Sequence, residues 1–533
     1  MPPAPQCATR AISVDSVPGR TVFRISLPIA PREAQIRMAE AVQATLETGE
    51  TLVAEAGTGI GKTLAYLVPA LLSGLKVIIS TGTKTLQDQL FFRDLPLVRE
   101  ALDSSASTAL LKGRGNYLCL HRMHTARTEG RLPSRDAAIE LRAVQDWSAR
   151  TVDGDLSIAG VVGEDSGLMP FVTSTADNCL GADCPEIDRC FVARARREAQ
   201  EADVVVVNHH LLFADMAIKQ SGFGEVLPGA GAFIVDEAHQ APETASRFFS
   251  TTLSARQIQD LCRDLLAESA EVSGAMGVLR EPVADCLQKL KELQLAIADR
   301  GEERGSWSAL LDDPDARGAL QALDRSVLAL AGEIPQLEGR ARGMDGCLER
   351  LRAVQSAFDR FDAAEGEGEV RWYEQRGRGF ALHITPLEVA TAFDAFREQV
   401  DAAWLFTSAT LSVRGDFRHF TDRMGLQDAA TLQLDSPFDY VNNARLWLPE
   451  SLPEPRDPGF VPALLDDVVP LLEASRGRAF LLFTAHRSLR LAAELLAERV
   501  AFPLFVQGEQ PRSLLLERFR RSGDGILLAE VQQ

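Results

Sequence analysis

Three sets of residues in this sequence have the types and spacing that do chemistry. The first is Val53-Ala-Glu-Ala-Gly-Thr-Gly-Ile-Gly-Lys-Thr63. Small residues at Ala56, Gly57, Gly59 and Gly61, with Thr58 between them, let backbone N–H groups converge on phosphate oxygens. Lys62 can reach the β- and γ-phosphates of a nucleotide, and the Thr63 hydroxyl can ligate Mg²⁺. An apolar helix is expected at once, from Leu64 to Leu72, and its N-terminus adds free donors and a positive dipole end. Ala56 stands where the G-x-x-x-x-G-K-[ST] pattern usually has its first glycine, a small-for-small change. A Gly-rich turn with an incidental lysine is the competing reading, and the ordered strand, loop, helix and Lys-Thr argue against it.

The second set is Asp236-Glu237-Ala238-His239, directly after the apolar run Ala232-Phe-Ile-Val235. Asp236 would hold Mg²⁺ opposite Thr63, and Glu237 would orient and deprotonate the attacking water, because phosphoryl transfer depends on positioning and charge stabilisation. Carboxylates also favour any helix N-terminus, so the pair gains its meaning from the loop at Lys62. The third set is Cys119, Cys179, Cys184 and Cys190, the last three separated by four and five residues. Four thiolates bind zinc or an iron-sulfur cluster, and this spacing leaves the metal open. Cys7, Cys262, Cys286 and Cys347 are scattered and read as ordinary buried or tail residues.

The elements that must position these residues alternate strand and helix. Val77-Ile-Ile-Ser80, Asp203-Val-Val-Val-Val207, Ala232–Val235 and Trp404-Leu-Phe-Thr407 read as buried strands, which predicts an α/β fold with parallel sheets covered on both faces. A further unit, Ala479–Phe483 with helix Ser488–Leu496, then Leu504–Val506 and Ile526–Leu528, predicts a second α/β domain. Two long insertions interrupt the first. In the second insertion, Ile258, Leu261 and Leu265 share one helix face, and Val283, Leu287, Leu290 and Ile297 another. An extended pair is expected at Val370–Tyr373 and Phe380–Ile384.

At 533 residues two or more domains are expected, and 46% hydrophobic with 25% charged residues is ordinary for a globular protein. No apolar run approaches a membrane span, and residues 1–26 carry no secretion signal, so a cytoplasmic location is expected. A net charge of −19 excludes indiscriminate attraction to nucleic acid. A local site is conceivable in the basic stretch 112–150, with Lys112, Arg114, Arg122, Arg127, Arg131, Arg135, Arg142 and Arg150, although a solvated helix face reads equally well.

Together, Glu55-Ala-Gly-Thr-Gly-Ile-Gly-Lys-Thr63, Lys112-Gly-Arg-Gly-Asn-Tyr-Leu-Cys119, Asp236-Glu-Ala-His239 and Thr407-Ser-Ala-Thr-Leu411 resemble the DinG/YoaA branch of the XPD-like superfamily 2 DNA helicases, from Arg32 to Leu528. The resemblance implies ATP and Mg²⁺ as cofactors, single-stranded and forked DNA as partners, 5′ to 3′ movement and duplex unwinding. It also implies unidentified protein partners in repair or replication. It makes Cys119, Cys179, Cys184 and Cys190 ligands of a [4Fe-4S] cluster, and Gln35 the residue that reads adenine, where an ordinary polar helix residue is the alternative. It places Gly57, Thr58, Gly59, Gly61, Lys62, Thr63, Asp236 and His239 at the nucleotide. Ser408 and Thr410 would couple hydrolysis to DNA movement, and Thr81 and Thr83 would contact the DNA backbone. Helix capping is the alternative for both pairs. Asn208 and His209 match a Val-Asn-His-x-Leu-Leu signature whose role reads as structural.

The implied architecture is two RecA-like domains. An N-terminal tail covers 1–26. The first RecA-like domain covers 27–112, 192–250 and 394–428, interrupted by an iron-sulfur domain at 113–191 and an Arch domain at 251–393. The second, incomplete, covers 429–533. The family carries a Trp-Glu-Gly-x-Asp segment and an arginine finger in Gln-x-x-Gly-Arg-x-x-Arg after the strand at Ile526, where this sequence reads Ala529-Glu-Val-Gln-Gln533. A finger is worth roughly 10³ to 10⁵ in kcat, so the sequence as it stands predicts ATP binding without efficient DNA-stimulated hydrolysis, no strand separation, and an uncovered sheet edge at Ile526–Leu528. Two further readings follow: a protein that holds DNA and ATP without unwinding, and an ATPase subunit completed by a partner.

Overall fold

The computed structural model describes residues 13–17, 20–24 and 32–531, apart from 130–131, 164–165, 176–177, 221–225, 270–271, 334–336, 338–341, 364–368, 378, 387–388, 450 and 511. Cys7 and most of the tail over 1–26 lie outside these residues. The chain divides into two compact units, 1–438 and 439–533.

In the first unit seven strands form one parallel sheet. They are β1 Thr51–Ala56, β2 Val77–Thr81, β3 Thr108–Leu110, β4 Val204–Asn208, β5 Ala232–Asp236, β6 Ala403–Ser408 and β7 Ala430–Leu434, in the spatial order β7-β1-β6-β5-β2-β4-β3. Because successive side chains leave opposite faces of a strand, each run of apolar residues serves two cores. Val53, Ile78, Val205, Phe233, Trp404 and Phe406 enter one. Leu52, Ala54, Ile79, Val206, Ile234 and Leu405 enter the other, beneath helices α1 Glu33–Thr48 and α2 Lys62–Leu72. Phe233 stacks on Trp404 with ring centroids 4.3 Å apart, which fills the width between two neighbouring strands. A short helix, α3 Lys84–Gln89, follows β2. β7 pairs with β1, so the first unit extends past residue 428, where the sequence reading had placed its end.

The register brings Ser408 beside Glu55 and Thr407 beside Asp236. The C-terminal ends of β1, β6 and β5 therefore lie side by side, the edge at which parallel sheets gather ligands.

The first insertion shares the core of one sheet face through Tyr117, Leu118, Met123, Leu141, Val144, Val172 and Phe191. The second has a separate core. Four helices, Ala255–Glu268, Ala275–Asp299, Pro314–Gly332 and Arg342–Asp362, accompany a four-stranded antiparallel sheet that contains the expected pair as Glu369–Arg376 and Gly379–Pro386. Ile258, Leu261 and Leu265 are buried, as are Val283, Leu290 and Ile297, but Leu287 is exposed. Cys286 occupies the inward position instead, because the buried residues run Val283, Cys286, Leu290, Leu293, Ile297. Cys262 and Cys347 are buried as well.

The second unit holds a parallel sheet of β8 Ala479–Phe483, β9 Leu504–Val506 and β10 Ile526–Glu530, in the order β8-β10-β9. The uncovered edge expected at Ile526–Leu528 is not observed: β10 is the middle strand and is paired on both sides. Ile526 and Leu528 pack against Leu465, Leu489 and Leu496 on one face, while Leu527 packs with Phe505 and Leu515 on the other. Among the described residues no helix is long and apolar enough to cross a membrane.

Candidate active site

β1 ends at Ala56 and α2 begins at Lys62, so Gly57–Gly61 form the turn. Gly59 and Gly61 have φ of +87° and +90°, which L side chains adopt only under strain. A Cβ at Gly59 would run into the Phe438 ring, and one at Gly57 would lie 2.6 Å from the Ser436 backbone nitrogen. The segment after β7 therefore walls the loop: Gly57 N donates to Leu434 O at 2.9 Å, and Ser436 Oγ donates to Thr58 O at 2.7 Å. Gln35 Nε2 donates to Gly61 O at 3.1 Å, which holds α1 against the turn.

Lys62 Nζ lies 3.3 Å from Glu237 Oε1. Tyr66, one turn further along α2 and fully buried, donates from its hydroxyl to Asp236 Oδ2 at 3.0 Å, with the Thr63 side chain near enough to act on the phenol. The two expected Mg²⁺ ligands, Thr63 and Asp236, thus share one phenol as a neighbour. Burial raises the Asp236 carboxyl to about 6, with the neighbouring Glu237 charge adding to it. Glu237 is held down to about 2, first by its hydrogen bond with His239 and also by Lys62, against the effect of burial. Glu237 has φ of +55°, a left-handed conformation that costs a non-glycine residue and recurs where function fixes the backbone.

The Ser-Ala-Thr segment meets the same carboxylate. Ser408, fully buried, has Oγ 2.8 Å from His239 Nδ1 and donates to Glu237 Oε2 at 3.4 Å. His239 Nδ1 is 3.4 Å from Glu237 Oε2. Glu55 fixes the segment from below, accepting from Leu411 N and Ser412 N, each at 2.6 Å, and from Ser412 Oγ at 2.9 Å. Three loops therefore converge on Glu237.

A DEAD/DEAH box helicase family model matches residues 35–105. The ATP-dependent DNA helicase YoaA of Escherichia coli is 44% identical over 503 residues, covering 94% of this chain and 78% of that protein. The YoaA of Haemophilus influenzae is 42% identical, with the same coverage of 94% and 78%. The ATP-dependent helicase DinG of Mycobacterium tuberculosis is 35% identical, covering 92% and 76%. The chain belongs to the YoaA/DinG family of ATP-dependent DNA helicases. A solved XPD helicase covers 94% of this chain and 80% of its own at 15% identity with a TM-score of 0.48, a likeness on which nothing below depends.

In this helicase chain the remaining predicted residues divide. Thr83 caps α3, accepting from Leu86 N at 3.2 Å, and Thr81 is buried. Thr410 N donates to Ser408 Oγ at 3.5 Å, a short turn that closes over β6. His209 is buried with Nδ1 2.7 Å from Ser80 Oγ, and burial pushes it down to about 4. Asn208 Oδ1 accepts from Leu211 N at 2.8 Å, so this pair caps and packs, as its structural reading implies. The thiols of Cys119, Cys179, Cys184 and Cys190 lie close enough to influence one another: burial raises Cys119 to about 11, with Cys184 and Cys179 adding to it, and Cys184 is raised by burial and by Cys190 and Cys179. Among the described residues no three His, Cys, Asp or Glu side chains form a group that could hold a metal ion. Lys112 leaves the expected basic face altogether, because its side chain is 0% exposed and paired with Asp88 and Asp155. Tyr66 and Glu55 escaped the sequence reading. Tyr66 looked like any apolar helix residue, and Glu55 belonged to a motif in which only its neighbours had assigned chemistry.

Proposed function

We propose that this chain hydrolyses Mg-ATP to move 5′ to 3′ along single-stranded DNA and to separate duplex or forked DNA in the cytoplasm, in repair or replication. The observation that carries the reading is Glu237, which is touched by the phosphate-loop lysine, by its own His239 and by Ser408. A bound triphosphate would draw Lys62 away from Glu237 to the β- and γ-phosphates, with the N–H groups of Gly57–Gly61 around them. That frees the carboxylate to orient water and accept its proton, while Ser408 and His239 feel the change. Thr63 and Asp236 would hold Mg²⁺, and the metal would offset charge on the phosphates. Gln35, already bonded to the loop, stands as the candidate reader of adenine.

Cys119, Cys179, Cys184 and Cys190 would hold the [4Fe-4S] cluster that the family resemblance implies, and its cationic core would offset the burial that opposes ionisation of Cys119 and Cys184. A bound cluster would join Cys119, just before the helix Leu120–Glu129, to the segment 179–190. The insertions would then be the cluster domain at 113–191 and the Arch domain at 251–393.

Strand displacement on duplexes with a 5′ or a 3′ single-stranded tail tests the reading. With the family's Gln-x-x-Gly-Arg-x-x-Arg segment supplied, ATP-dependent separation of the 5′-tailed duplex alone is expected. Preferential separation of the 3′-tailed duplex would overturn the polarity, and ATP and DNA binding with no separation of either would favour the binding-protein reading.

A further inference from the structure

Lys112 is a buried cation whose place the proposed function does not explain. Nζ lies 2.8 Å from Asp88 Oδ1 and 2.7 Å from Asp155 Oδ2, and donates to Ser157 Oγ at 2.9 Å. Its backbone N–H donates to Tyr117 Oη at 3.1 Å. Buried ion pairs of this kind seldom outdo well-packed apolar residues in stability, whereas the geometry they impose is specific. The three charged residues come from three separate segments. Asp88 lies on α3, and its neighbour Gln87 pins the same helix by donating to Leu111 O at 2.9 Å and Val206 O at 3.2 Å. Asp155 lies in the first insertion, next to Gly154, whose carbonyl accepts from Leu118 N at 2.8 Å; Cys119 follows, with N bonded to Val172 O at 2.8 Å. At its other end α3 is preceded by Gly82, where a Cβ would lie 2.9 Å from Cδ of Gln240, the residue after His239. A continuous run of contacts therefore leads from the cysteine-bearing insertion through Asp155, Lys112 and Asp88 to α3 and the Asp-Glu-Ala-His turn.

We infer that Lys112 is a positioning residue: held by Asp88 and Asp155, it locks the cysteine-bearing insertion to α3, so that DNA engaged by the insertion alters the turn that carries Glu237. The inference rests on the proposed DNA-dependent ATPase and names the joint through which DNA acts.

The test compares ATP hydrolysis with and without saturating single-stranded oligonucleotide in the full chain, in Asp88→Asn, and in Lys112→Met combined with Asp88→Asn and Asp155→Asn. Asp88 has 28% of its side chain exposed, so Asp88→Asn weakens one arm with little risk to folding. The triple variant removes all three charges together and strands none of them. Basal hydrolysis and nucleotide affinity are expected to stay at the parental level in both, with DNA stimulation reduced by about tenfold in the triple variant and less in the single one. A parent stimulated by DNA beside variants stimulated equally overturns the inference and leaves the functional reading standing. Equal loss of basal and stimulated rates shows plain structural damage and also overturns it. A parent that DNA does not stimulate overturns the functional reading, and the inference with it.

Discussion

Replacing Tyr66 with phenylalanine removes one oxygen from the floor of the nucleotide cleft and leaves its packing intact, since the ring is fully buried in the core under α2. That oxygen donates to Asp236 Oδ2 at 3.0 Å and lies near Thr63, the two side chains proposed to hold Mg²⁺. A hydrogen bond to a charged group is worth about 1.5–3 kcal/mol, and losing a partner that orients a metal ligand typically costs about 10–100-fold in metal affinity. Tyr66→Phe should therefore raise the Mg²⁺ concentration for half-maximal ATP hydrolysis by roughly 10–100-fold. At saturating Mg²⁺ the turnover should recover to near the parental rate. A Mg²⁺ titration of steady-state hydrolysis at fixed ATP, run beside thermal unfolding of both proteins, measures this directly. An unchanged Mg²⁺ requirement would refute the reasoning, and a loss that excess Mg²⁺ does not repair would mean that the hydroxyl supports folding alone.

Lys62→Ala should reduce DNA-stimulated hydrolysis by about 10²-fold or more, the usual cost of removing a donor from developing charge, with unfolding and metal content unchanged; parental turnover would remove the lysine from the chemistry. Ser408→Ala deletes the contacts to His239 and Glu237. It should leave ATP affinity intact while strand separation falls more than hydrolysis, and equal losses in both assays would argue against a coupling role. Cys184→Ser should lose visible iron-sulfur absorption and bound iron; stoichiometric zinc without iron in the anaerobically purified parent would defeat the cluster assignment and leave the ATPase reading untouched.

The α/β plan was legible because its strands are short apolar runs rich in Val, Ile and Phe, and each expected strand of the first sheet was recovered to within a residue or so. Leu287 was misplaced because a single turn of a long helix offers two nearly equivalent inward positions, and the core around Leu290 and Leu293 takes Cys286. β10 was expected at an edge because strand order depends on pairings between distant segments, which no local pattern records. Lys112 read as part of a basic face because its partners lie 24 and 43 residues away. The candidates Lys62, Asp236 and Glu237 stand out in the sequence because phosphate and metal restrict the residue types that suit them, and the structure brings the three side by side. Tyr66, which donates to the candidate metal ligand Asp236, carries no such signature.

Glu237, poised between Lys62 and Ser408, is proposed to act on the water that attacks ATP. Hydrolysis by the parent and by Glu237→Gln, at saturating Mg-ATP with and without single-stranded DNA, tests it most directly. DNA should stimulate the parent, and Glu237→Gln should bind ATP as well as the parent while hydrolysing it about 10²- to 10⁴-fold more slowly under both conditions. Hydrolysis by Glu237→Gln at the parental rate would contradict it.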